Sequence, residues 1–391
     1  MLEVFFAFLK LGLTSFGGPI AHVGYFHREF VQRRGWLDEA HYAQLLAVAQ
    51  FLPGPASSQV GFSVGLLRAG WPGGIAAFVA FTLPSALLMF AFATLLPQLD
   101  QPFGRGLLHG FKLVAVAVVA QGLLTMAQRL TPDIPRLAIA VLAAIAVIFT
   151  GSTLMQLLVV AFGGVLGLIL CRQESVRSNM AALDVRYDVK MGALLLGIFA
   201  ILLIGAFVSD TASSQLFEAA KAFYRAGALV FGGAHVVLPL LEEAIVVPGW
   251  ISTDDFLAGY GAAQAVPGPM FSLAAFLGAR IDGDASALGA AVSLLAMFLP
   301  GLLLMAGILP LWQTIMRRER AASVLVGINA AVVGLLGAAL YDPVWTGAVF
   351  STADAGIAFA AFILLALRRT SVLPVIAFCV AASLIRVWLS G

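Results

Sequence analysis

Long apolar segments dominate the chain and are separated by short polar stretches. After an apolar stretch at 4–21 and a split one at 40–69, apolar runs cover 72–96, 106–128, 136–150, 153–171 and 191–208. Runs of this kind are typical of membrane helices, because about 20 apolar residues are needed to cross the hydrocarbon core. The pattern predicts an all-α protein that crosses a membrane several times.

The pattern of the first half returns in the second half at a nearly constant offset. Phe231-Gly232-Gly233 matches Phe16-Gly17-Gly18 at an offset of 215, and Pro267-Gly268-Pro269 matches Pro53-Gly54-Pro55 at an offset of 214. Agreement in residue type, order and spacing indicates an internal duplication. Further matched pairs are Lys10 with Arg225, Glu29 with Glu243, Gln50 with Gln264, Ser58 with Ser272, and Pro84 with Pro300.

We predict two homologous repeats of about six apolar segments each, at 1–171 and 210–391. Between them, 172–209 holds a polar linker and one linking transmembrane helix. Lys and Arg favour cytoplasmic loops, and the stretch 172–190 has four of them, so we expect it in the cytoplasm. The linking helix then inverts the second repeat, which leaves the N-terminus in the cytoplasm and the C-terminus on the periplasmic or extracellular side.

The first two apolar segments of each repeat leave two topologies open. If they cross the membrane, the loop with Arg28, Arg33 and Arg34 faces outward, against the positive-inside rule. If they are re-entrant hairpins broken at the Phe-Gly-Gly and Pro-Gly-Pro motifs, this loop stays in the cytoplasm. Non-helical backbone at membrane depth must then be buried in protein or line a cavity.

Composition narrows the class of protein. Charged residues make up 11% of the chain and hydrophobic residues 61%, against about 25% charged in a soluble domain. A soluble enzyme, a disordered chain and a nucleic-acid-binding protein are therefore excluded, and the expected environment is a lipid bilayer. Cys171 and Cys379 stand alone without metal-ligand spacing, so neither a metal nor another cofactor is expected.

Inverted repeats with broken helices are typical of secondary transporters. A helix that begins inside the membrane presents unpaired N–H groups and partial positive charge, which attract anions, and glycine permits close backbone approach. We therefore predict an anion site at the breaks. Its candidate residues are Ser15, Gly17, Gly18, His22, Gln50, Pro53, Gly54, Pro55, Ser57, Ser58 and Gln59 in the first repeat and Gly232, Gly233, Gln264, Pro267, Gly268, Pro269 and Ser272 in the second.

Ionisable side chains within apolar segments are costly and are functional candidates. Lys10 and Arg225 each lie seven residues before a glycine pair, and two such cations would suit a divalent anion. The alternative is that both side chains reach a nearby interface. Glu29, Glu243 and His235 are candidates for proton coupling, and the alternative for the glutamates is pairing with nearby arginines.

Three stretches of the first half resemble the chromate ion transporter family. They are TSFGGPIAH at 14–22, GWL at 35–37 and QFLPGPASSQ at 50–59, and the second-half motifs resemble those of the long-chain, two-domain members. The resemblance covers nearly the whole chain. It implies a cytoplasmic-membrane protein that exports chromate and gives chromate resistance, driven by the proton-motive force or by exchange, with sulfate as a competitor.

We expect a secondary active transporter with alternating access and an asymmetric site. More polar contacts should come from the first half, because Ser57-Ser58-Gln59 is replaced by Phe271-Ser272-Leu273 in the second. A transporter of sulfate or another small anion, an anion channel, and a homodimeric assembly stay open. An enzyme is not predicted, because the Gly61-x-Ser63-x-Gly65 pattern lies in a predicted membrane helix, without the strand-turn-helix context of hydrolases.

Overall fold

The computed structural model describes residues 1–150, 153–171, 185, 187–208, 214–231, 236–281, 285–312, 319–366 and 371–390. All regular structure in these ranges is helical, so the prediction of an all-α protein is confirmed. The helices are α1 (Leu2–Thr14), α2 (Gly18–Phe26), α3 (Glu39–Phe51), α4 (Ala56–Leu95), α5 (Pro102–Leu130), α6 (Ile134–Thr150), α7 (Thr153–Leu170), α8 (Val189–Phe207), α9 (Gln215–Leu229), α10 (Val237–Leu241), α11 (Thr253–Ala265), α12 (Leu273–Arg280), α13 (Ala287–Ile308), α14 (Glu319–Ala339), α15 (Thr352–Ala366) and α16 (Val372–Ser390).

Six helical stretches within the described ranges are long and apolar enough to cross a membrane. The prediction of a polytopic membrane protein is confirmed at this level. Many large apolar side chains on the outer helices are exposed, as lipid-facing side chains are. The six stretches are 56–99, 102–130, 189–207, 287–311, 323–345 and 372–389.

The first two helices are too short to span a membrane and fold into a hairpin. Helix α1 has 13 residues, about 20 Å at 1.5 Å per residue. The Phe8 ring lies 5.6 Å from that of Phe26 and stacks on that of Phe30 at 4.7 Å, so the chain returns alongside α1 through α2 and the π-helical turn His27–Arg33. We call α1, α2 and this turn the first hairpin.

Helix α3 and the first part of α4 form the second hairpin, broken at Pro53-Gly54-Pro55. Helix α4 has non-helical backbone at Ala69 and Gly70, which divides it into α4a (56–68) and α4b (71–95). Glu39, at the start of α3, bonds His27, while Arg68, at the end of α4a, lies 3.4 Å from Glu3. The two ends of the second hairpin therefore lie beside the base of the first.

The second half contains the third hairpin (α9, α10 and the π-helical turn Glu242–Val246) and the fourth hairpin (α11 and α12). Arg280, at the end of α12, pairs with Asp255, at the start of α11, at 3.6 Å. The Gln215 amide at the start of α9 donates to the Ile281 carbonyl at 3.1 Å. The bases of these two hairpins therefore also lie together.

The two pairs of hairpins occupy opposite ends of α4b. This helix follows directly on the base of the second hairpin at Arg68, and near its other end Phe92 stacks on Phe276 of the fourth hairpin at 5.3 Å. At its 25-residue length α4b extends about 37 Å, which is enough to cross a bilayer. The hairpins of the two halves thus point toward each other, with their tips near the centre of α4b.

Candidate functional site

The hairpin tips of the two halves are joined by a reciprocal pair of backbone hydrogen bonds. The Gly54 N–H donates to the Val230 carbonyl at 2.7 Å, and the Gly268 N–H donates to the Ser15 carbonyl at 2.9 Å. Ser15 and Val230 directly precede the two Phe-Gly-Gly motifs. Each Pro-Gly-Pro motif is therefore bound to the residue that directly precedes the Phe-Gly-Gly motif of the other half.

Both central glycines adopt backbone conformations that L side chains rarely accept. Gly54 has φ +119° and Gly268 has φ +98°. A Cβ on Gly54 would lie 2.9 Å from the Gly301 Cα of α13, and one on Gly268 would lie 3.0 Å from the Ser85 Oγ of α4b. The helices that follow the two halves' hairpins, α4b and α13, thus close over the tips. The turns at Gly17 and Gly18 also have positive φ angles.

His22 lies at the tip of the first hairpin and is fully buried. Its Nε2 lies 3.2 Å from the Ser15 carbonyl oxygen, which only accepts, so Nε2 carries the proton and donates. The same carbonyl receives the Gly268 N–H. The ring meets Phe81 edge-on at 5.3 Å, and Nδ1 has no hydrogen-bond partner among the described residues.

Gln59 braces the tip of the second hairpin. Its amide nitrogen donates to the Pro53 carbonyl at 2.9 Å and to the Gly301 carbonyl of α13 at 3.0 Å. Helix α4 begins at Ala56, directly after Pro55. Ser57 and Ser58 in its first turn are both buried.

Several buried polar atoms of this region have no partner among the described residues. Unpaired buried polar groups are costly and usually have a functional explanation. Those at the tips and on the adjacent α4b belong to residues of the first half. They are Ser15 Oγ, His22 Nδ1, Ser58 Oγ, Gln59 Oε1 and Thr82 Oγ1.

The second half contributes polar side chains that are mostly engaged locally. The Ser272 hydroxyl donates to the Pro269 carbonyl at 2.7 Å, and the Gln264 amide lies 2.9 Å from the sulfur of Met270. Pro267 completes this tip. The candidate residues Gly232, Gly233 and His235 lie outside the described residues.

Three candidate side chains lie away from the tips, which corrects the sequence-based site. Lys10 is exposed on the outside of α1, on the same side as Phe6 and Leu13. Arg225 donates to the Ala206 carbonyl at 3.2 Å, next to the last residue of α8. Gln50 is exposed, unlike its match Gln264. In each case the position around the helix decides which way the side chain points, and the apolar pattern did not predict that direction at these positions.

The two glutamates proposed for proton coupling belong to the returning arms of the hairpins. Glu29 is buried and accepts hydrogen bonds from Arg33, at 2.9 Å, and from Arg34, at 2.7 Å. Its carboxylate is therefore part of an ion-pair network at the base of the first hairpin, as in the alternative interpretation. Glu243 is half-buried in the corresponding π-helical turn.

Residues on α4b and α13 were missed because the motifs end before these helices begin. Ser85 and Gly301 border the tips. The matched prolines Pro84 and Pro300 beside them were the signal in the sequence that could have identified this region. Within the described ranges, no group of three His, Cys, Asp or Glu side chains is arranged to hold a metal ion.

Comparison with known proteins agrees with this architecture. The family model for the chromate transporter matches residues 2–168 and 217–384. The chain belongs to the chromate transporter family. This family consists of membrane transporters, not enzymes, and chromate transport is the role that it supports.

Two relatives named as chromate transport proteins match most of the chain, and a third relative matches about a third of it. The chromate transport protein of Pseudomonas aeruginosa is 29% identical over 345 residues, which are 87% of this chain and 80% of that protein. The probable chromate transport protein of Synechococcus elongatus is 29% identical over 338 residues, 85% and 82% of the two chains. The uncharacterized transporter YwrA of Bacillus subtilis is 29% identical over 132 residues, 34% of this chain but 72% of that protein. No solved structure matches the chain significantly.

Proposed function

We propose that this protein exports chromate across the cytoplasmic membrane and that the anion binds where the four hairpin tips meet. The reciprocal hydrogen bonds between the tips carry the proposal, because they bring the broken segments of both halves to one place in the interior. Sulfate has the same tetrahedral shape and charge and is the expected competitor. Export of the anion would give resistance to chromate.

The unpartnered groups at the tips have the chemistry that an oxyanion requires. Chromate offers four oxygen acceptors, and the hydroxyls of Ser15, Ser58 and Thr82 can donate to them. Hydrogen bonds to a charged acceptor are about twice as strong as neutral ones. The N-terminus of α4, directly after Pro55, adds backbone N–H groups and the positive end of its dipole.

Charge at the tips would come from His22. The sequence contains no Lys or Arg in 11–26, 45–67, 71–95, 256–279 or 287–308. In α9, Lys221 and Arg225 donate to the carbonyls of Val208 and Ala206, away from the tips. Because Nε2 is engaged with Ser15, a second proton on buried His22 would go to Nδ1, and it would create a cationic donor only where a bound anion offsets the cost of burying that charge. His22 then supplies the positive charge that the sequence analysis assigned to Lys10 and Arg225.

Alternating access between inverted repeats is the mechanism that we propose for the movement. The opposed hairpin pairs support it, since each pair can open toward one side while the other remains closed. The match to the Bacillus relative, which covers 34% of this chain but 72% of that protein, supports a repeat as the structural unit. In this topology Arg28, Arg33 and Arg34 face the cytoplasm, in line with the positive-inside rule.

The test is uptake of labelled chromate and labelled sulfate into proteoliposomes, with and without an imposed pH gradient or membrane potential. We expect uphill movement of chromate under a gradient, inhibited by sulfate. Ser58→Ala should raise the KM for the anion about three- to tenfold, because it removes a hydroxyl donor. Ser63→Ala is the matched control, since that hydroxyl donates to the Gln59 carbonyl within α4a.

The outcomes separate the alternatives. Movement that only dissipates gradients would indicate an anion channel, and sulfate transport without chromate transport would change the substrate. If neither anion moves under any gradient, the proposed function is wrong. Equal KM values for Ser58→Ala and Ser63→Ala would contradict the proposal that the anion binds at the tips.

A further inference from the structure

We propose a second site for a tetrahedral oxyanion in a surface cavity between α5 and α16, distinct from the hairpin tips. The cavity has a volume of about 480 Å³. Its polar lining consists of Arg105 and His109 from α5 and Ser383 and Arg386 from α16. Three of these side chains are basic and none of the lining residues is acidic. As a role in transport, the inference rests on the proposed function.

A buried carboxylate behind the cavity holds two of the basic side chains in place. Asp354, whose side chain is 3% exposed, accepts from the His109 Nε2 at 2.9 Å and from the Ser351 hydroxyl at 2.8 Å. It also pairs with Arg386, whose guanidinium donates to the Ser351 hydroxyl at 3.1 Å as well. Such a network fixes the direction of imidazole and guanidinium before a ligand arrives, which lowers the ordering cost of binding.

Close helix packing builds the floor of the cavity. A Cβ on Gly106 would lie 3.0 Å from the Val387 side chain, and one on Gly110 would lie 2.7 Å from the Val380 Cα. These glycines let α5 and α16 approach within ordinary packing distance below the basic side chains. The cavity is thus bounded by two rigid helices, which position a binding site better than loops do.

The basic side chains continue toward the hairpins. Arg105, His109 and Lys112 are four and three residues apart, so they lie on one face of α5. Lys112 is buried and pairs at 2.6 Å with Asp254, at the base of the fourth hairpin. The cavity therefore lies on the side of the molecule where the bases of the third and fourth hairpins lie. An anion that moves between this side and the tips would pass near it.

The chemistry of the cavity fits a phosphate-like or chromate-like group from either of two sources. One is the transported anion in solution, collected by the cations before or after passage. The other is the phosphate of an anionic lipid, since Phe103 and Leu389 next to the cavity are exposed apolar side chains. Both sources lead to the same prediction, which is that binding of the oxyanion group requires the basic side chains that line the cavity.

The test measures labelled chromate and sulfate binding to the full chain in nanodiscs of zwitterionic lipid, with lipid retention followed by native mass spectrometry. Arg105→Gln is the main variant, because Arg105 lines the cavity and its side chain is exposed, so that the substitution keeps the fold. Arg386→Gln is the second. Arg129→Gln, at the exposed far end of α5, is the matched control.

We expect two anions per wild-type chain, with the affinity of one of them falling about tenfold or more in Arg105→Gln and staying unchanged in Arg129→Gln. A single bound anion, together with an anionic lipid that is retained by the wild type and lost in Arg105→Gln, supports the site with lipid as the source. Anion stoichiometry and lipid retention equal in wild type, Arg105→Gln and Arg386→Gln would overturn the proposal. An anion that responds to Arg105→Gln but not to Ser58→Ala would keep this site and contradict the one at the tips.

Discussion

The two halves of this protein place the same backbone at their tips and different side chains around it. Gly54 and Gly268 each donate to the carbonyl that precedes the other half's Phe-Gly-Gly motif, at 2.7 and 2.9 Å. Most of the polar side chains are not shared, although Ser58 keeps a serine counterpart in Ser272. Ser15, His22, Gln59 and Thr82 correspond to Val230, Val237, Leu273 and Phe298.

This difference indicates that the duplicated halves have kept the same backbone contacts but have taken on different side-chain roles. The backbone bonds hold the halves together and must exist on both sides, because each closes one tip. Under the proposed function, an anion needs only one set of side-chain donors, and the unpartnered groups of the first half would supply it. The apolar counterparts in the second half pack the tips, with Phe271 against Phe298 at 6.0 Å.

The largest expected effect is that of Gly54→Ala compared with Gly268→Ala. At Gly54 the new Cβ would meet the Gly301 backbone at 2.9 Å, whereas at Gly268 the nearest atom is the hydroxyl of Ser85, which can rotate. Positive φ alone costs an L residue about 1–2 kcal/mol. We expect Gly54→Ala to lose more than about tenfold in transport and to lower the thermal unfolding temperature, with Gly268→Ala less affected. Greater damage in Gly268→Ala would contradict the comparison.

The next effect concerns His22, which has a valine as its counterpart. His22→Val places the second-half residue in the first half and removes the imidazole from the tips. We expect the affinity for chromate and sulfate to fall about tenfold or more, because a donor to a charged ligand is lost. Equilibrium binding of the labelled anions measures it. His27→Gln is the control, since His27 bonds Glu39 away from the tips, and equal losses in both variants would exclude a specific role.

A smaller effect is expected for Gln59→Leu, which makes the second hairpin resemble the fourth. It removes two hydrogen bonds, to the carbonyls of Pro53 and Gly301, and leaves those acceptors buried. We expect a loss of about 1–3 kcal/mol in the free energy of unfolding, measured by thermal unfolding of the purified chain. The reverse substitution, Leu273→Gln, is the control for side-chain volume. Unchanged stability in Gln59→Leu would show that Gln59 does not brace the tip.

The smallest effects are expected for Lys10→Ala and Arg225→Ala. The Lys10 side chain is exposed, and Arg225 bonds the Ala206 carbonyl of α8. Anion affinity in either variant should change by less than about twofold, measured in the same binding assay. A loss of several-fold in both would restore the charge-balancing role that their matched positions suggested.

Much of the fold could be predicted from the sequence, because helices, breaks and membrane segments depend on local residue types. The breaks at Gly17-Gly18 and Pro53-Gly54-Pro55 occur where glycine and proline stand. The site could be predicted only in part. Its motif residues Ser15, His22, Ser58 and Gln59 lie at the tips, but Lys10 and Gln50 do not, because one step of helical phase separates an inward side chain from an exposed one.

By itself, the sequence determined the helical class, the duplicated breaks, the low charge of the membrane segments and the family. These follow from apolar periodicity and from the backbone preferences of glycine and proline. Only the tertiary structure decided that each Pro-Gly-Pro tip binds the other half, and that α4b and α13 close over the tips with Ser85 and Gly301. Partners more than 170 residues apart along the chain are selected by packing and by the need to pair buried N–H groups, which no local pattern records.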